Sequence, residues 1–247
     1  MSRLVLQSHR SPLPYPWIDS CLSSVRQWAE SHQYDYRYLG DELFDLIPDE
    51  LVKQHQQHRV VLSDLARLLA MRHALNEDYD SVVWLDADFL IFAPEQFILP
   101  YDSYACGREV WVQKDSKEKL KVYKKVHNAF LLFSRGNSFL DFYIETASKL
   151  LFLNTGAMPP QFIGPKLLTA FHNIASLPVM ETAGMLSPLV IKDIIVGGGE
   201  CLELFVDNSP ADIAGANLCV SSCEKNELSN TEMEDVIKLL LNSGIKK

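Results

Sequence analysis

The chain has 247 residues, 47% of them hydrophobic, and a net charge of -9. That length and apolar content exclude a disordered polymer and allow a sizeable core. The acidic balance argues against a nucleic-acid binder, which presents a basic face, but not against a small phosphate-bearing ligand met through a divalent cation.

The five cysteines are dispersed, with no CxxC pair, which reads as reduced thiols in a cytoplasmic protein. Cys219 and Cys223 lie four apart, and no second pair or nearby histidine completes a zinc site. The apolar run Leu4-Val5-Leu6 is too short for a signal peptide and is ended by Gln7, Ser8, His9 and Arg10. No stretch reaches the ~18–20 apolar residues of a membrane span, so the expectation is a soluble chain for which peripheral membrane contact stays open.

In chain order, Leu4-Val5-Leu6 reads as a buried strand. The proline-rich stretch 11–16 is a loop, and residues 17–32 have helical spacing with Ile18, Leu22, Val25 and Trp28 on one side. Residues 34–39 form a second strand. Residues 43–55 form a helix started or interrupted near Pro48. Residues 60–76 form the clearest helix, with a broad apolar stripe. After the polar turn 77–80 comes Val82-Val83-Trp84-Leu85, a continuous apolar run of the kind seen in parallel strands buried on both faces. Alternating strands and helices over the first hundred residues imply an α/β fold with a mostly parallel central sheet flanked by helices.

In the second half, residues 104–106 and 128–133 read as strands, while 139–151 and 165–171 read as helices, the latter opened by Pro165. Thr231 and Glu234 have capping-box spacing and open a last helix running to about Asn242, ended by Gly244. The six lysines in residues 114–125 form a basic patch for an anionic acceptor or lipid headgroup, or a solvated loop or helix face. Gly197-Gly198-Gly199 lacks the spacing of a phosphate-binding loop and reads as a flexible turn, and His73 reads as an ordinary helix residue.

The chemistry concentrates in Asp86-Ala87-Asp88. At strand spacing the two carboxylates point to one side, at the carboxyl end of a buried strand, where open α/β sheets place ligands. Carboxylates this close repel unless a cation lies between them, and a hard divalent ion also leaves positions for the oxygens of a diphosphate. The plainer alternative is a charged turn; the apolar runs 82–85 and 89–92 on either side weigh against it. Asp64 and Arg67 stand one helical turn apart, with a solvated i,i+3 ion pair as the plainer reading.

Ser63-Asp64-Leu65-Ala66-Arg67 followed by Trp84-Leu85-Asp86-Ala87-Asp88 resembles the DXD-containing sugar transferases of the GT-A fold, the capsular-polysaccharide and yeast mannosyltransferase-like group together with the glucosylating toxins. His127-Asn128-Ala129-Phe130 and Ile163-Gly164-Pro165-Lys166 extend the resemblance weakly, so that it covers roughly residues 1–170. It implies a GT-A-like nucleotide-diphospho-sugar transferase in a single domain, residues 1–247, with a nucleotide-sugar half over 1–100 and an acceptor-side half over 101–247. It implies Asp88 and Asp86 as ligands of Mn2+ or Mg2+, and Asp64, Arg67 and Asp86 at the donor sugar and its phosphates in catalytic roles. Gln7 and Ser8 fall near the nucleotide base by fold-level analogy. The implied activity is metal-dependent transfer of a hexosyl group from a nucleotide sugar to a saccharide, lipid-linked or protein acceptor, with retention of configuration. No histidine follows His172, so the metal shell departs from that of many relatives; Asn217 is a conceivable oxygen ligand that the sequence does not single out. Two alternatives stand beside this reading. One is a non-catalytic GT-A-like protein that binds a nucleotide or a partner. The other is a haloacid-dehalogenase-like phosphatase, whose DxD lies nearer the N-terminus and is followed by Thr or Val where this chain has Leu90.

Overall fold

A computed structural model describes residues 2–245. The first strand, β1 (Arg3–Ser8), lies in parallel between β2 (Asp35–Leu39) and β3 (Ser81–Leu85). A long strand, β6 (Leu120–Ser134), runs antiparallel to β3 and is followed across the sheet by β5 (Tyr104–Lys114) and β7 (Val179–Met180). The order is β2-β1-β3-β6-β5-β7, with β6 alone reversed among the described strands of this sheet, so the sheet is mostly parallel. A second sheet joins β4 (Phe89–Ile91), β9 (Gly215–Asn217) and β8 (Ala183–Met185) in the order β4-β9-β8.

Alternate residues of the central strands feed opposite layers. Leu4, Leu6, Val82 and Trp84 pack against α3 (Arg59–Asn76) and α4 (Ser138–Leu153), whereas Val5, Val83 and Leu85 pack with Val25 and Trp28 of α1 (Trp17–Ser31). The run 82–85 is continuous because both of its faces are covered. The chain leaves β1 toward one face and β2 toward the other. This puts a topological switch point, and a crevice at the carboxyl ends, between β1 and β3. The helix α3 is buried round most of its circumference, which lets it carry charged residues inside the molecule.

Several local expectations are corrected. Residues 43–55 divide at Pro48 into a 3-10 turn (Asp41–Leu46) and α2 (Asp49–Gln54), because proline at 48 leaves no donor for a continuous helix. The capping box is formed by Ser229 and Glu232, two residues before the expected pair, and opens the last helix at Asn230. The strands expected at 104–106 and 128–133 are parts of a much longer hairpin whose tip is the lysine-rich stretch. The alternation of Val110 with Val112, and of Leu120 with Val122, was the overlooked period-2 signal.

The glycine triplet joins α6 (Pro188–Val196) to α7 (Glu200–Asn208). All three glycines have positive φ, and a Cβ on Gly199 would lie 2.6 Å from Asp193 Oδ1. The close approach lets Asp193 Oδ2 accept the N–H groups of Cys201 at 2.8 Å and Leu202 at 3.0 Å. The anion position at the start of α7 is thus filled by the chain's own carboxylate, and the triplet is a tight turn rather than a phosphate loop.

Candidate functional site

Residues 86–88 do not continue β3 as a strand. They form a turn closed by Phe89 N–H donating to the Asp86 carbonyl at 2.9 Å, and Asp86 N–H donates to the Ala129 carbonyl of β6 at 2.9 Å. The expectation that both carboxylates leave one strand face in parallel is therefore corrected: the turn gives each aspartate its own set of partners.

Asp86 accepts at Oδ1 from Trp84 Nε1 at 2.7 Å and pairs there with the Arg67 guanidinium at 2.9 Å. Arg67 also pairs with Asp64 at 3.1 Å, donates to the Asn128 carbonyl at 2.8 Å and lies 5.3 Å from the Trp84 ring. Asn128 donates its side-chain amide to Asp64 Oδ1 at 2.8 Å. Asp64 and Arg67 are buried, so the solvated surface pair is not what α3 builds. Burial pushes the Asp64 carboxyl up to about 6 against the opposing pull of Arg67 and Asn128. For Arg67, Asp86 and Asp64 outweigh the burial penalty and move the guanidinium further upward, so it stays charged.

Gly164 is the reason α5 (Pro165–Ala175) can start so close. A Cβ there would lie 2.6 Å from Asp64 Cγ and 2.8 Å from Asn128 Nδ2. The Tyr143 hydroxyl of α4 donates to the Ile163 carbonyl at 2.9 Å and secures that approach. Lys166, in the first turn of α5, is exposed.

Asp88 is buried and faces the C-terminal segment. It accepts from Asn217 Nδ2 at 2.7 Å and from Val220 N–H at 2.7 Å, and Asn217 in turn accepts from Cys219 N–H at 2.8 Å. Burial first, and the neighbouring Asp86 second, push its carboxyl up to about 6. Asn217 therefore presents its nitrogen to Asp88 and spends its oxygen on the loop.

Gln7 is fully buried, donating to the Asp86 carbonyl at 3.0 Å and accepting from the Tyr36 hydroxyl at 3.1 Å. Both ends of its amide are committed to protein, so it props the turn from behind. Ser8, at the end of β1, is half-buried at the crevice. His127, buried behind the turn, accepts at Nδ1 from Ala129 N–H and so carries its proton at Nε2, 3.2 Å from the Ala183 carbonyl. Burial pushes it down to about 4.

Asp86 and Asp88 have the donor chemistry for a hard divalent cation. Asp88 is a buried carboxylate held by neutral donors, with no ion pair among the described residues, and Asp86 Oδ2 accepts from no donor among them. Among the described residues no group of three His, Cys, Asp or Glu side chains stands ready to cage a metal. Two carboxylates with the remaining positions left to ligand oxygens is the arrangement small hard cations accept. A groove of about 940 Å³ lined by Gly197–Gly199, Leu202, Glu203, Val206 and Leu239 lies elsewhere, among α6, α7 and the last helix. It includes none of these carboxylates, and the chemistry identifies the site, not the cavity.

Sequence reasoning brought Asp64, Arg67, Asp86 and Asp88 to the same neighbourhood but missed what holds them. Asn128 and Asn217 act through partners remote in the chain, Asp64 and Asp88, and no spacing announces those contacts, whereas Trp84 reaches Asp86 only two residues on.

No protein-family model matches the chain, and no curated protein matches it. Among solved structures, it is similar to a glycosyltransferase involved in the glycosylation of the major capsid of PBCV-1, at 14% identity and a TM-score of 0.52, over 95% of this chain and 100% of that one. It is also similar to the galactosyltransferase LgtC in complex with donor and acceptor sugar analogues, at 10% identity, a TM-score of 0.48 and 95% of each chain. GlyE of Streptococcus pneumoniae TIGR4 follows at 13% identity and a TM-score of 0.46, over 100% of this chain and 64% of that one. The first likeness spans both chains almost end to end, and the fold of this protein is the GT-A fold of glycosyltransferases.

Proposed function

We propose that this chain is a glycosyltransferase that takes a nucleotide-diphosphate sugar and passes the sugar to an acceptor with retention of configuration. The observation that carries the reading is the Asp64–Arg67–Asp86 constellation, the first two buried and Asp86 partly open, at the switch point of a GT-A sheet. Burying charges is costly, and a fold keeps them where charge is used. Retention rests on the sequence resemblance, and the anomeric configuration of the product is its test.

Asp86 and Asp88 would hold Mn2+ or Mg2+, which as a Lewis acid stabilises the departing diphosphate. The chain's own groups do the rest. Asp64, fixed by Arg67 and Asn128, offers its carboxylate to donor-sugar hydroxyls. Arg67 holds Asp64 and Asp86 in fixed register and places positive charge beside the phosphate side of the donor. Trp84 and Gln7 keep Asp86 and its carbonyl from turning away, which preorganises the site.

The test is a thermal-shift screen of nucleoside diphosphates and nucleotide sugars, with and without Mn2+, on wild type and Asp88→Asn. A ligand at a hundred times its Kd adds about 2.7 kcal/mol to stability. A metal-dependent shift with one nucleotide, lost in the variant, supports the donor site. The absence of any shift in folded protein overturns it. Donor binding without donor hydrolysis or transfer over a range of acceptors would instead mark a non-catalytic nucleotide-binding protein.

A further inference from the structure

The β5–β6 hairpin overhangs the candidate site. The last residue of β3, Leu85, pairs with Phe130, so residues 120–129 of β6 run on past the carboxyl edge of β3, at the end where Asp86 stands. At about 3.3 Å per residue these ten positions reach roughly 30 Å. On the inner face of the hairpin Val110 and Val112 are buried, and with Leu120 and Val122 they pack in the cluster that holds Ile194 and Phe205 of α6 and α7. That packing holds the hairpin in place and leaves its other face and its tip to solvent.

The outer face is of a different kind. Trp111 and Tyr123 are directly paired across the strands, with Gln113↔Lys121 and Glu109↔Lys125 as neighbouring pairs. Lys125 Nζ lies 5.6 Å from the Tyr123 ring centroid. Lys114 pairs with Glu118 and Lys121 with Asp115, whereas Lys117 and Lys119 at the tip and Lys125 beside Tyr123 are exposed and form no ion pair among the described residues; Lys124, paired with Val110, lies on the other face. Six lysines against Asp115 and Glu118 give residues 114–125 a charge of +4, in a chain of -9, so the rest of the molecule carries -13.

We propose that this hairpin is a docking surface for an anionic phospholipid bilayer. The charge distribution selects that partner. A nucleic-acid strand or other long polyanion follows a protein surface and would run from the hairpin onto a body of opposite preference. A flat anionic surface can touch the projecting tip while the acidic body stays in solvent. Lysines give attraction to anionic headgroups, and a Trp–Tyr pair beside them suits the interface, where an amphipathic ring has one wet and one apolar side. Docked in this way, the end of the sheet that carries Asp86 turns toward the bilayer. Under the transferase reading, the acceptor is then one presented at a membrane. The docking itself does not depend on that reading and is measured without donor or acceptor.

The experiment is sedimentation of the full chain with phosphatidylcholine vesicles, with and without phosphatidylglycerol, for wild type and for Lys117→Gln/Lys119→Gln/Lys125→Gln. These side chains are exposed, and an unchanged melting temperature verifies that the variant folds. Binding to the anionic vesicles is expected to weaken with salt and to fall about 5-fold per lysine, or on the order of a hundredfold for the triple variant. Trp111 supplies a second readout. The other three tryptophans are buried, so a blue shift of emission on adding anionic vesicles, absent in Trp111→Phe, places that ring at the interface. Failure of wild type to bind anionic vesicles at low salt overturns the proposal, as does binding that the triple variant leaves unchanged. A single-stranded oligonucleotide that binds the hairpin as tightly as the vesicles and displaces them also overturns the bilayer assignment.

Discussion

Replacing Arg67 with methionine removes the cation from a buried group of two carboxylates while keeping much of the side-chain volume. Arg67 holds Asp86 at 2.9 Å, Asp64 at 3.1 Å and the Asn128 carbonyl at 2.8 Å. Removing one partner of a buried ion pair costs about 3–5 kcal/mol, because the other is left as an uncompensated charge. Here Asp64 bears most of that penalty, since Asp86 keeps the Trp84 indole and is partly open to solvent. The loss has a pH signature. Asp64 already stands near 6 because it is buried, and Arg67 opposes that rise. Without Arg67 the folded-state value climbs further, and each unit is worth about 1.4 kcal/mol. An acid whose folded pKa is raised contributes stability at low pH that is lost as pH rises. The deficit of Arg67→Met is therefore largest above pH 7 and shrinks toward pH 5, where Asp64 is protonated. Urea unfolding followed by circular dichroism at both pH values measures it. A deficit below about 1 kcal/mol at neutral pH, or one equal at both pH values, would refute the account of Arg67 as the cation of this constellation. Arg67→Lys is expected to restore less than half of the loss, since one ammonium cannot replace a planar fork that reaches three acceptors.

Gly164→Ala drives a methyl group against Asp64 and Asn128 and is expected to cost about 1–3 kcal/mol in urea unfolding and to weaken any donor-induced thermal shift. Asp193→Ala removes the carboxylate that caps α7 and is expected to cost about 1 kcal/mol while leaving the donor-induced shift intact. In the wild type, Asp64 and Asp88, each raised to about 6, contribute stability present below about pH 4 and lost as pH rises through 6. His127, lowered to about 4, contributes stability present above about pH 6.5 and lost as pH falls through 4. From pH 7 to pH 5 each carboxylate adds about 1.4 kcal/mol and His127 removes about 2 kcal/mol, so these three contributions largely offset one another. Relative to wild type, Asp88→Asn is expected to lose stability on acidification over that window and His127→Gln to gain it, both read as urea midpoints against pH.

Much of the architecture was legible because it rests on short-range periodicity. The apolar run 82–85 announces a strand covered on both faces, and the alternation of elements before it announces a parallel sheet. The spacing of Asp64 and Arg67 places them on one side of a helix, and Asp86 and Asp88 fall at the end of a strand, where such sheets place their sites. The hairpin was readable in principle, since Val110, Val112, Leu120 and Val122 alternate, but the lysines around them mask the pattern.

What only the tertiary structure decided is which charges meet and at what depth. Asp86 and Asp88 share a tripeptide, yet the turn at 86–88 sends one to Trp84 and Arg67 and the other to Asn217 and Val220, some 130 residues along the chain. Whether Asp64 and Arg67 are a solvated pair or a buried constellation depends on α4, α5 and β6 closing over α3, and on the absence of a side chain at Gly164. Periodicity reports which side of an element is apolar. The free energy of a charge depends on everything packed against it, and that is set by segments remote in the chain.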